Sequence, residues 1–243
     1  MKSNKKAGRL AGLLYLMAAL TGGFSLFYIR SKVIVPGDAE ATVANIMASE
    51  FLYRAAIVSN LASQFFMFFF GLTLFQLFRE ANKFWATVFL VSVTLTVGLA
   101  VGNTLNHFQA LLLLGQADYL KVFNPAQLNA LAMTSVRLAN GSGQGVLEIF
   151  WTPYYFSFGL LVFKYRFLPR IFGVLMMLMG IGYAINILDK FLVPQFHPLA
   201  FTRLAMSLGA LGGIPTLLWL LIKGVNDPRP LVLSQGCQSA TLG

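Results

Sequence analysis

The sequence predicts an all-α membrane protein, a bundle of about six transmembrane helices with two short outer amphipathic helices. Three observations lead there. The 243 residues are 57% hydrophobic and only 11% charged, with a mean hydropathy of +0.72, far too apolar for a water-soluble domain. The apolar residues gather into six runs, each near or above the roughly 20 residues that cross a bilayer. The basic residues fall between those runs and favour one side.

The first run, Leu10 to Ile29, follows Lys2, Lys5, Lys6 and Arg9. A cleavable signal peptide begins similarly, but this run is longer than a typical signal core and no A-x-A site follows it, so it is read as a span. The other runs are Ala55 to Phe78, Phe84 to Leu114, Gly145 to Phe163, Leu168 to Leu188 and Ala200 to Ile222. The third is overlong and should tilt, or extend past the hydrocarbon near Asn106 and His107. The spans, at about 10–29, 55–78, 84–114, 145–163, 168–188 and 200–222, make one transmembrane domain over residues 1–223. Residues 224–243, ending in LSQGCQSATLG, are expected to be a disordered cytoplasmic tail.

Two connections carry helical signals of their own. Asp38 can cap a short helix reaching about Glu50, and Asn124-Pro125 is a good start for a helix to about Ala139. Val43, Ile46 and Met47 in one, and Leu128, Leu131 and Leu138 in the other, recur at near-helical spacing. Each helix is expected on the outer membrane surface or as a lid on the bundle.

Orientation follows from the cations, because basic loops are retained in the cytoplasm. One side of the six-span arrangement holds eleven, Lys2, Lys5, Lys6, Arg9, Arg79, Lys83, Lys164, Arg166, Arg170, Lys223 and Arg229. The other holds seven, Arg30, Lys32, Arg54, Lys121, Arg137, Lys190 and Arg203. Both termini are therefore expected in the cytoplasm. A faint internal echo joins Arg9-Leu-Ala-Gly12 at the first span to Arg170-Ile-Phe-Gly173 at the fifth; chance suffices to explain it.

The net charge of +10 does not make a nucleic-acid interface, since the cations lie between apolar runs and not on one surface. The single Cys237 has no internal disulfide partner, and no Cys/His spacing fits a metal. No metal and no cofactor is expected. GSGQG at 141–145 follows no strand, which makes a phosphate loop a poor reading.

The stretches RLAGLLYLMAALTGG, VIVPGDAEATVANIMASEFLYR and LFQLFREANKFWA resemble the bacterial multi-pass membrane-protein family termed domain of unknown function 4386. The features that carry the resemblance are Arg9, Gly12 and Tyr15-Leu16; Gly37-Asp38-Ala39 with Thr42, Asn45 and Ile46; Arg54; and Phe167-Leu168-Pro169-Arg170 with Gly173. It covers most of residues 5 to 190. The resemblance implies a multi-pass protein of the bacterial cytoplasmic membrane with no assigned reaction, so it brings no catalytic residue.

Polar groups within the spans point to a site, because such groups in hydrocarbon normally face the bundle interior or water. Glu148 lies roughly 10 Å into the fourth span. Gln144, Glu148, Thr152 and Tyr155 form one stripe at helical spacing. Asn60 and Gln64 share a face of the second span, and Asn103, Asn106 and His107 a face of the third. Tyr183, Asn186 and Asp189 lie on the fifth, while Arg54 and Arg203 mark the outer entrances of the second and sixth. Nearly all fall in the outer half, which implies a polar pocket opening outward and closed below by apolar packing. Glu148, His107, Arg54 and Arg203 together could bind an anion or relay protons. Taken singly, each amide is more simply interhelical glue, worth about 1 kcal/mol.

The leading expectation is a protein that binds or transports a small or amphipathic solute in that pocket, with the lipid bilayer as its solvent and a homo-oligomer as one possible state. A structural or accessory subunit is the plain alternative. An intramembrane enzyme acting on lipid-like substrates ranks lower, because no HExxH, paired Asp/His cluster or strong serine motif is present.

Overall fold

The structure is a computed structural model that describes residues 2–115, 117–140, 142–192 and 200–226. Side chains at 2, 3, 142–144, 189, 190, 200–203, 205, 206 and 208–211 are outside that description. Eight α-helices account for most of it: α1 (Lys2–Tyr28), α2 (Ala39–Ala48), α3 (Glu50–Phe78), α4 (Lys83–Leu114), α5 (Pro125–Asn140), α6 (Ser142–Tyr165), α7 (Arg170–Leu192) and α8 (Ala200–Ile222). No strand occurs among the described residues.

Five helical stretches among the described residues are long and apolar enough to cross a membrane: Asn4–Val33, Glu50–Phe78, Lys83–Leu114, Pro125–Tyr165 and Arg170–Leu188. A further helix, α8, has 23 residues and ends in a shorter apolar stretch, Gly212–Ile222. The all-α membrane architecture is thus present. The long helices pack as a closed ring in chain order, α1 on α3, α3 on α4, α4 on α6, α6 on α7, α7 on α8 and α8 back on α1.

Local chemistry sets where the helices start. Gly37, at a φ of +83°, turns the chain into α2, and the Asp38 carboxylate accepts from the Ala41 amide at 2.9 Å. Thr42 then bonds back to Val35, and the Asn45 amide donates to Val33 O at 3.2 Å. The polar residues of the GDA–T–N motif therefore clasp α2 to the end of α1, whose last turn widens to a π-turn over Ile29–Val33. Asn82 caps α4 through the Trp85 amide at 3.0 Å. Asn124 and Gln127 cap α5 reciprocally, each side chain accepting from the other's backbone N–H at 2.9 Å.

Several boundaries differ from the sequence reading. A single residue, Ser49, separates α2 from α3, so the second long helix begins at Glu50 and not near Ala55. The expected tail start is also displaced: Gly224, at a φ of +73°, closes α8, Val225 is buried, and the Asn226 amide donates to Phe167 O at 2.8 Å. The remainder of the expected tail, from Asp227, lies outside the described residues.

The helices α2 and α5 pack on each other and on the ends of the long helices, closing one end of the ring. Leu131 and Leu138 are exposed, while Ala132, Met133, Val136 and Ala139 are buried, because small residues let α5 approach α4 and α2 closely.

Two apolar cores result. One, near the end where α1 begins and α8 finishes, is aromatic and includes Phe70, Phe78, Phe89, Tyr154, Phe158, Phe167 and Leu220. The other lies beneath the cap and includes Ile29, Val33, Ile46, Tyr53, Ile57, Ala110 and Val136. The closest helix contacts rest on glycine. A Cβ at Gly159 would stand 2.5 Å from Gly173 O, and one at Gly173 would stand 2.7 Å from Gly159 O. Gly12 likewise lies against α8, 2.7 Å from Leu221 N by the same measure, so both glycines of the sequence echo serve helix contact.

Candidate functional site

The site is a partly open cavity of about 120 Å³ on the cap side of the ring. Ser25, Leu26 and Ile29 of α1, Asn60 and Gln64 of α3, and Thr96, Ala100, Asn103, Thr104 and His107 of α4 line it. Ala139 and Asn140 of α5 and Leu147 and Trp151 of α6 complete the wall. Among the described residues the lining carries no formal charge besides what His107 can hold, and it is rich in amides and hydroxyls.

Part of that polarity is spent on structure. The Asn103 amide donates to Ala139 O at 2.8 Å, tying α4 to α5, and Asn106 braces it through Asn103 Oδ1 at 3.0 Å. Thr104 Oγ1 is shared between Ala100 O at 2.9 Å and Asn60 Oδ1 at 3.3 Å. The buried Tyr53 hydroxyl lies 2.7 Å from His107 Nδ1, with the rings edge to face. Other groups have no such duty. Gln64 makes no hydrogen bond among the described residues, and Thr96 Oγ1 is buried without a partner. Thr96 Oγ1 is withdrawn from water, and a polar group so placed and left unpaired is destabilising unless water or a ligand completes it.

The structure brings together four residues singled out from the sequence, Asn60, Gln64, Asn103 and His107. It sets others elsewhere. Glu148, 6% exposed, is not in the cavity wall, and its Oε2 accepts from the buried Asn186 amide at 2.6 Å, joining α6 to α7. The stripe running from Glu148 through Thr152 to Tyr155 follows α7: Tyr155 stacks on Tyr183 at 5.6 Å, and Thr152 Oγ1 is buried without a partner. Arg54 is exposed and pairs with Glu50, one turn earlier on its own helix, at 2.6 Å. The side chains of Gln144, Asp189 and Arg203 lie outside the described residues. Among the described contacts, Glu148 bonds to Asn186, His107 to Tyr53 and Arg54 to Glu50.

Sequence reasoning missed Ser25, Thr96, Thr104 and Tyr53. The i, i+7 spacing of Thr96 and Asn103, continued by Thr104 and His107, was an available signal. No group of three His, Cys, Asp or Glu side chains able to hold a metal occurs among the described residues.

Residues 10–224 match the family described as Domain of unknown function (DUF4386), and since that span is most of the chain, the protein belongs to this family. No curated protein and no solved structure matches it.

Proposed function

We propose that this protein binds, and passes across the membrane, a small or amphipathic uncharged solute received in the polar cavity between α1, α3, α4, α5 and α6. The observation that carries this reading is the pair of idle polar groups in the cavity wall, the Gln64 amide and Thr96 Oγ1. Residues serving only as helix glue would be paired with another helix, as Asn103 is. Among the described residues the wall holds no carboxylate, Lys or Arg, which favours a neutral guest, because an unpaired charge there would be strongly penalised.

In this reading both termini are cytoplasmic and the cavity lies in the outer half of the bacterial cytoplasmic membrane. Supporting it, Lys5, Lys6, Arg9, Arg79, Lys83, Lys164, Arg166, Arg170 and Lys223 are all exposed at the end of the ring opposite the cap. The two salt bridges among the described residues, Arg54–Glu50 and Lys121–Asp118, both lie at the capped end.

The test is osmotic stopped flow on proteoliposomes with glycerol and urea, alongside Trp151 fluorescence in a background where Trp85 and Trp219 are Phe. Solute should re-enter faster than in empty vesicles and shift Trp151 emission, and Gln64→Leu should suppress both. Wild type and Gln64→Leu behaving alike in both assays would sink the proposal. A structural or accessory role is the second reading, favoured by the Glu148–Asn186 pair, which acts as glue between α6 and α7. It predicts normal assembly of the cavity variants and failed assembly when Glu148 is removed.

A further inference from the structure

The identity of the guest can be narrowed from one hydrogen bond at the cavity's edge. His107 lines the cavity, and its Nδ1 lies 2.7 Å from the Tyr53 hydroxyl. A neutral imidazole has one nitrogen that donates and one that accepts, and the partner of one fixes the role of the other. Two arrangements are possible for this pair.

In the first, Nδ1 carries the proton and donates to the tyrosine oxygen. The phenolic proton then needs an acceptor of its own, yet Tyr53 is fully buried and has no other hydrogen-bond partner among the described residues. A buried O–H would be left unsatisfied. In the second, Tyr53 donates to Nδ1, both groups are satisfied, and the proton resides on Nε2. The ring is held by the same contact, since Tyr53 also meets it edge to face at 5.7 Å.

We infer that Tyr53 holds His107 as the Nε2–H tautomer and thereby presents a fixed hydrogen-bond donor to the cavity, so that the guest is a neutral molecule or headgroup bearing a carbonyl or ether oxygen. This deepens the reading of the cavity as a binding site and rests on it. Size agrees with a compact guest: the cavity is about 120 Å³, and an engineered cavity of about 150 Å³ accommodates benzene. Gln64 and Thr96 can complete the guest's remaining hydrogen bonds, because neither has a hydrogen-bond partner among the described residues. Tyr53 is a positioning residue here; it acts through the imidazole and does not line the cavity.

The experiment uses the full-length protein in nanodiscs with ¹⁵N-labelled histidine. The chain has two histidines, His107 and His197, so a His197→Gln variant assigns the His107 signals. Two-bond ¹H–¹⁵N correlations then report the tautomer directly. The expected result is a neutral ring protonated at Nε2, with Tyr53→Phe collapsing that preference to a mixture. Two ring probes of similar size are titrated next: cyclopentanone, which only accepts, and pyrrole, which only donates. Cyclopentanone should shift the His107 Nε2 signal and bind the wild type about three- to tenfold more tightly than it binds Tyr53→Phe, the effect of one well-placed hydrogen bond. Pyrrole should bind both proteins equally weakly.

The outcomes separate the two ideas. An Nδ1–H ring or an imidazolium overturns the donor assignment while leaving the cavity free to be a site. An Nε2–H ring that responds to neither probe overturns the cavity reading and this proposal with it. Pyrrole binding as tightly as cyclopentanone overturns the selectivity for an acceptor.

Discussion

The two ends of the ring solve the same packing problem with different chemistry. At the basic end, helices meet through glycine and aromatic rings: Gly159 against Gly173, Phe78 between Phe89 and Phe167 at 5.7 and 4.9 Å. At the capped end they meet through side-chain hydrogen bonds to backbone carbonyls, Ser59 to Thr21 O at 2.9 Å, Ser63 to Ala18 O at 2.8 Å and Asn103 to Ala139 O at 2.8 Å. Lipid tails are as apolar as Leu, so apolar area alone gives helices no reason to associate, and close contact or hydrogen bonding must supply one. Contact fills space more closely than hydrogen bonds between few polar groups: the cavity at the capped end is about 120 Å³, and one against the aromatic core, lined in part by Phe70, Tyr154 and Phe158, is about 10 Å³.

Four substitutions test that contrast, from the largest effect to the smallest. Gly173→Leu drives a side chain into α6 at Gly159 O and Phe163 N, and should destabilise the bundle by about 3 kcal/mol or prevent assembly, read as lost monodispersity and an early thermal transition in detergent. An unshifted transition would show that the glycine contact is not what holds the basic end. Glu148→Ala removes the acceptor of the buried Asn186 amide and should lower stability by about 2 kcal/mol, whereas Glu148→Gln keeps an acceptor and should lose less than half of that. Equal losses in the two variants would mean that the carboxylate's charge, and not its hydrogen bond, matters there.

Asp38→Ala removes the cap of α2 and should cost about 1 kcal/mol, visible as faster amide exchange confined to α2 and the Val33–Gly37 turn. Exchange that rises evenly across the ring would contradict a local clasp. Gln64→Leu is the smallest and has the opposite sign. It removes a polar group that has no hydrogen-bond partner among the described residues, so stability should stay within about 0.5 kcal/mol or rise, while solute response is lost. A clear loss of stability would reassign Gln64 from guest contact to helix glue.

Much of the fold was legible because lipid imposes simple rules. Long apolar runs must be helices, since no other open structure satisfies the backbone in hydrocarbon. Caps are local, so Asp38 and Asn124 announce helix starts from a few residues of sequence. The site was half legible. Asn60, Gln64, Asn103 and His107 could be placed on helix faces by spacing, and they do meet around one cavity. Glu148 drew attention because a carboxylate in a span is unusual, but unusual burial says only that partners exist, and one of them is Asn186 on α7.

The sequence by itself determined which segments are helical, where most begin, and that polar groups concentrate toward one end. Only the tertiary structure decided which face of each helix looks inward, that Leu147 and Trp151 line the cavity while Glu148 faces α7, and that small residues of α5, in place of its leucines, meet the bundle. The physical reason is that a spanning helix is apolar on its lipid face and its protein face alike. In water, hydrophobic periodicity marks the buried side; in a bilayer that mark is erased, and packing alone assigns it.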